Sequence, residues 1–118
     1  RALPEEDMAV DNLSACVKIA ACICAKDGVI SEIEEKTIFR VLAERYPKFG
    51  SDEFELALDE FFSSDDQIED YLALVKEYEL RQFALVLSET SAAADGLDPR
   101  ENIALEKAYV IWGLSRNA

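Results

Sequence analysis

Residues 25–35, AKDGVISEIEE, decide how this chain is read. Asp27-Gly28 is a turn signal: glycine enters the left-handed backbone that ends a helix without steric cost, and aspartate bonds nearby backbone amides. Three residues further, Ser31 and Glu34 stand in the S-x-x-E spacing of a capping box, where each side chain accepts from the backbone N–H of the other residue. The stretch is therefore a corner at which one helix ends and a second begins.

Outward from that corner the chain reads as helix nearly throughout. Upstream, Pro4 followed by Glu5, Glu6 and Asp7 suits a first helical turn, since proline is tolerated there and acids favour the positive end of the dipole. This helix runs to about Ala25, and its later half is apolar almost all round apart from Lys18, the pattern of a central helix. Downstream, a second helix carries Ile38, Val41 and Leu42 inward until Tyr46-Pro47 stops it. Ser51 caps a third, with Asp52, Glu53 and Glu55 in its first turn and Phe54, Leu58, Phe61 and Phe62 for the core. Ser64 and Gln67 repeat the capping-box logic for a fourth, whose stripe is Ile68, Tyr71, Leu72 and Val75.

A fifth helix, from about Tyr78 to Ala94, is again apolar on most sides and is the second central candidate. Asp98-Pro99-Arg100-Glu101 then stacks an N-cap, a proline at the first helical position and a glutamate at the third. The sixth helix carries Ile103, Ala104, Ala108, Ile111 and Trp112, with Gly113 as its C-cap. No alternating run bounded by turn signals reads as a strand. The expectation is an all-α, single-domain bundle over residues 1–118, with about six or seven helices and an internal pseudo-twofold repeat.

Composition narrows the function classes. The 118 residues carry 12 basic and 25 acidic side chains, a formal charge of −13, and 50% are apolar, enough for a core. That field repels phosphate backbones and anionic membrane surfaces and attracts cations and basic partners, so nucleic acid is not expected as a partner. There is no histidine, which removes the commonest general base and the commonest transition-metal ligand together. Cys16, Cys22 and Cys24 lie within one helical segment, where near neighbours cannot meet disulfide geometry, so they read as buried thiols in a reducing compartment. A metal site on Cys22 and Cys24 is disfavoured because residues two apart on a helix point roughly 200° away from each other. The apolar run ACVKIAACICA, residues 15–25, is too short to cross a bilayer and contains Lys18. A cytoplasmic protein with no membrane insertion is expected.

The corner is repeated. CAKDGVISEIEEKTIFRVLAE and AAADGLDPRENIALEKAYVIWG share one plan: buried helix, small residue, Asp-Gly turn, N-cap, glutamate three past the cap, amphipathic helix. Glu34 and Glu101 hold the same place relative to their caps, Ser31 and Asp98. Each corner alone is explained by turn and cap chemistry. Together, two such turns ending two adjacent buried helices gather carboxylates, which repel unless a cation or a basic group neutralises them. The candidate site is Asp27, Glu34, Asp95 and Glu101. A self-contained EF-hand loop is not expected: with Asp27-Gly28 at positions five and six and Glu34 at twelve, positions one and three fall on Ile23 and Ala25, which lack side-chain oxygens. In the second copy position twelve falls on Asn102.

The doubled pattern, Ala25, Asp27, Gly28, Ser31 and Glu34, then Ala94, Asp95, Gly96, Asp98 and Glu101, resembles the TerB-like family, associated with tellurite resistance and seen also in the N-terminal region of DjlA-type co-chaperones. The resemblance covers about Leu13 to Leu114. It implies an all-helical bundle with internal pseudo-symmetry, metal binding by acidic residues, and a role in stress-response complexes rather than substrate turnover. Lys26 departs from the pattern, where the family often has alanine, and its ammonium is placed to pair with a nearby carboxylate and weaken a metal site.

Three functions compete on this reading. The first is a non-enzymatic module whose acidic cluster takes a divalent cation, or a basic protein surface that belongs to a soluble or membrane-associated complex. Oxygen ligands without histidine favour calcium, magnesium or manganese. The second is a metal-free scaffold that docks a partner helix, for which Phe49, Phe54, Phe61, Phe62 and Tyr71 would have to form an exposed patch rather than core. The third, an enzyme with paired carboxylates, lacks a nucleophile, a cofactor motif and the larger scaffold such a cleft needs.

Overall fold

The computed structural model describes residues 5–25 and 29–116, the side chains of residues 5–11 excepted. Six helices form among them, with no strand: α1 (Glu5–Cys24), α2 (Glu32–Arg45), α3 (Ser51–Ser63), α4 (Ile68–Leu72), α5 (Tyr78–Ala93) and α6 (Pro99–Trp112). The expected start at Pro4 and the turn residues Lys26, Asp27 and Gly28 lie outside the described residues.

α1 is the hub. Cys16, Val17, Ile19, Ala20, Ala21 and Ile23 are all fully buried, because α1 packs against every other helix and most closely against α5. Its small side chains let those neighbours approach, and Ala84, Leu87 and Ser88 close the seam from α5. Lys18 leaves this environment by reaching Glu60 of α3, Nζ to Oε1 2.8 Å. The long aliphatic stem stays against the core while the ammonium finds its counter-ion.

Two helix starts differ from the sequence expectation. α3 is capped by Gly50, with Ser51 the first helical residue; Glu53 Oε1 accepts from Gly50 N at 2.9 Å, so only the backward half of a capping box forms. α4 starts after Gln67, whose N–H donates to Asp70 Oδ2 at 2.8 Å, while Ser64 Oγ instead accepts from Asp66 N in a local turn. The two starts share one feature: a carboxylate three residues ahead accepts from the N-cap amide, Glu53 for Gly50 and Asp70 for Gln67. α4 has five residues, ending at Leu72, and Val75 enters the core from the loop beyond it.

The middle segment is core rather than surface. Phe49, Phe54 and Tyr71 are buried and Phe61 packs against them, leaving Phe62 at 57% exposure as the aromatic outlier. On α6, Ile103 and Ile111 face solvent, contrary to expectation, and Leu105 takes the inward position between Ala104 and Ala108. Trp112 closes the bundle: its indole Nε1 donates to the Leu72 carbonyl at 3.0 Å, and the Arg81 guanidinium lies 5.4 Å from its ring centroid. Gly113 then caps α6 in the left-handed region, φ 66°.

No described helix is long and apolar enough to cross a membrane.

Two substitutions test this packing in opposite directions. Trp112→Phe leaves the Leu72 carbonyl only its longer bond from Val75 N, 3.3 Å, and should lower unfolding free energy by about 0.5–1.5 kcal/mol in urea melts. The Tyr71 hydroxyl is buried with no hydrogen-bond partner among the described residues. Tyr71→Phe should therefore be neutral or stabilising, by up to about 1 kcal/mol.

Candidate functional site

The site is built from two helix starts made the same way. At α2, Ser31 Oγ accepts from Glu34 N at 3.2 Å and Glu34 Oε1 accepts from Ser31 N at 2.9 Å. At α6, Asp98 Oδ1 accepts from Glu101 N at 2.8 Å and Glu101 Oε1 accepts from Asp98 N at 3.1 Å. These are complete capping boxes, and each aims its glutamate back across the helix end instead of out to solvent. Gly96, at φ 81°, makes the turn that delivers Asp98 after α5.

Because α1, α2, α5 and α6 meet at this end of the bundle, the two caps come together. Glu34 is 3% exposed and Glu101 is 5% exposed, and their carboxyl groups lie within bonding reach of each other. With Asp95, Asp98, Ser31 and Gly96 they wall a recess of about 120 Å³. Of the four candidates named from sequence, Glu34 and Glu101 are in contact, Asp95 stands exposed on the recess wall, and Asp27 lies outside the described residues.

The electrostatics follow from that geometry. Burial, then proton sharing with Glu34 and the charges of Glu34 and Asp98, push the Glu101 carboxyl up to about 7, while the Asp98 backbone N–H pulls the other way. Cys24, the last residue of α1, was not foreseen here. Burial raises its thiol strongly, and the negative field of Glu34 and Glu101 raises it further. Burial alone pushes Cys16 up to about 12. Neither is a thiolate nucleophile at neutral pH. The signal for Cys24 was present in the repeat: it precedes the first Asp-Gly by three residues, as Ala92 precedes the second, and both positions are buried.

Each glutamate commits Oε1 to its own N-cap amide, so Oε2 is left for the facing carboxylate and the recess. A buried pair of this kind is neutralised by a shared proton or by a hard cation. The donor set is all oxygen, with no histidine in the chain, and so suits calcium, magnesium or manganese. Among the described residues no group of three or more Asp, Glu, Cys or His side chains is arranged to hold a metal ion. An ion here would therefore complete its shell with backbone oxygen, water or residues outside the described set.

No family model, curated protein or solved structure matches the chain.

The raised Glu101 carboxyl has a defined effect on stability. The folded chain holds this proton more tightly than the unfolded one, so the contribution is full below about 4.5, declines as pH rises, and is gone above about 7. Urea melts of the wild type and Glu101→Gln in chelator from pH 4 to pH 8 isolate it. Relative to the variant, the wild type should lose stability across that window; a difference independent of pH would refute the shared-proton pair.

Proposed function

We propose that this chain is a non-enzymatic, TerB-like module of a cytoplasmic stress response. Its Glu34–Glu101 pair, with Asp95 and Asp98 on the recess wall, takes a divalent hard cation or a basic group of a protein partner. The observation that carries this reading is the contact between two buried carboxylates from symmetric capping boxes on either side of one recess. Nothing in helix capping requires the two boxes to meet. A cap satisfies its own helix end at the surface as well as in a recess, whereas bringing two together adds repulsion that a cation relieves.

The TerB-like resemblance supports the same assignment, because Glu34 and Glu101 are the residues it marks in each copy. Asp27 belongs to that set by the repeated Asp-Gly corner and the resemblance, and lies outside the described residues. The family's link to tellurite resistance carries over as the expected biological setting. A binding rather than catalytic role is supported by the absence of histidine from the sequence and by thiols held in the protonated form.

Isothermal titration of chelator-treated protein with calcium, magnesium and manganese is the direct test. Saturable binding is expected, tighter as pH rises from 5.5 to 7.5, with a proton released into the buffer on binding because the pair must deprotonate. Glu34→Gln combined with Glu101→Gln keeps both caps through the amide oxygens and should abolish it. No heat and no melting shift at millimolar metal would remove the cation from the proposal.

A further inference from the structure

The far end of the α5–α6 pair carries a second surface, independent of the acidic recess. The two helices run antiparallel: Arg81 lies over Trp112, and Arg116, just beyond α6, reaches back to Glu89 and Glu106. Tyr78, Gln82, Leu85 and Val86 share one face of α5 by their helical spacing. Tyr109 of α6 and Leu114 and Ser115 of the returning tail form the opposite wall of a groove of about 470 Å³. The groove is firmly built. Gly113 turns the chain so that Leu114 N donates to the Tyr109 carbonyl at 2.9 Å, and Gln82 Nε2 donates to the Tyr78 hydroxyl at 2.7 Å. Leu85 is its buried floor, while Tyr78 and Val86 stand 59% and 56% exposed on its lip.

Four carboxylates stand beside its lining residues, none of them in the lining itself. Glu77 and Glu79 flank Tyr78 at the start of α5, Glu89 lies one turn beyond Leu85, and Glu106 lies one turn before Tyr109. One guanidinium, Arg116, sits between Glu89 and Glu106 and bonds both. The Tyr109 phenol is raised first by burial and then by Glu89, while Arg116 lowers it and Glu106 adds a smaller rise.

We propose that this groove docks a basic amphipathic helix of a partner protein, its apolar residues on Tyr78, Val86 and Leu114 and its lysines or arginines against Glu77, Glu79, Glu89 and Glu106. Charge decides among the occupants an apolar groove can take. A second copy docked face to face would set the same acidic rim against itself. An anionic bilayer or a nucleic acid is repelled by the net charge of −13. A helix with one apolar stripe and flanking cations satisfies both the groove and its rim.

The test is fluorescence anisotropy of the full chain with a labelled helical peptide of about 15 residues, leucine at i, i+4 and i+7 and lysine elsewhere, against a control with glutamate for lysine. Saturable binding of the basic peptide alone is expected. Val86→Glu should weaken it about tenfold or more. That variant adds negative charge, so a merely electrostatic attraction would strengthen instead, and Val86 is exposed enough for the fold to be unaffected, as a thermal melt checks. Glu79→Lys should weaken binding several-fold. Absent binding, equal or tighter binding by Val86→Glu, equal binding of the glutamate peptide, or sedimentation showing a dimer that Val86→Glu dissolves would each overturn the proposal.

Discussion

Two buried carboxylates brought together on one recess are the constraint around which this molecule is arranged. Glu34 and Glu101 each complete the N-terminus of a helix, and neither leaves its position without exposing the cap amide it satisfies. Their proximity follows from the packing of the helices they start: α2 lies on α5, α6 lies on α5 and α1, and the corners that precede α2 and α6 end α1 and α5. The repulsion between them is thus a product of global packing and cannot be relieved by a local rotamer change. It is relieved by charge neutralisation, which is why the same pair governs a proton at acidic pH and is the place where a cation has most to offer.

That constraint is tolerable because the rest of the bundle is strongly held. From Leu13 to Cys24 most of α1 is buried, and the bundle is closed through interactions of large sequence separation, Lys18 with Glu60 and Trp112 with the Leu72 carbonyl. Cys16 and Cys24 take part as small hydrophobes, their sulfur chemistry suppressed by burial. Lys107 pairs with Glu69, and Arg116 with Glu89 and Glu106, and none of these residues lines the recess.

Helix number, order and most ends were legible in the sequence because caps are local. Ser31 with Glu34 and Asp98 with Glu101 lie within four residues of each other, and their hydrogen bonds need no tertiary partner. Errors arose where two local solutions compete, at Gly50 against Ser51 and at Gln67 against Ser64, and where one apolar helix face had to be chosen over another, at Ile103 and Ile111 against Leu105. The site was legible as a list and not as a geometry. Repetition marked Glu34, Asp95 and Glu101, yet that two of them touch while the third stands at the rim depends on how α1, α2, α5 and α6 converge. That the buried Cys24 thiol feels both glutamates depends on how α1 packs against α5, which no local pattern encodes.

The distribution of charge adds a further step. An excess of 13 negative charges on 118 residues opposes folding by self-repulsion, and a sequence under no other demand would moderate it with lysine at exposed helix positions. Many of the acidic groups lie along α3 and the loop after it, but others stand at both ends of α5, in buried caps at one end and beside an open apolar groove at the other. The two ends differ in what they have to offer. At the recess the carboxylates are buried and mutually repelling, so the ligand that relieves them is small and fully charged. At the groove they are exposed and surround apolar side chains, so charge alone gains little in water and becomes effective once a partner's apolar face excludes solvent. On the two proposals made above, the same excess of acid serves two different ligands, and burial rather than sequence decides which acts where.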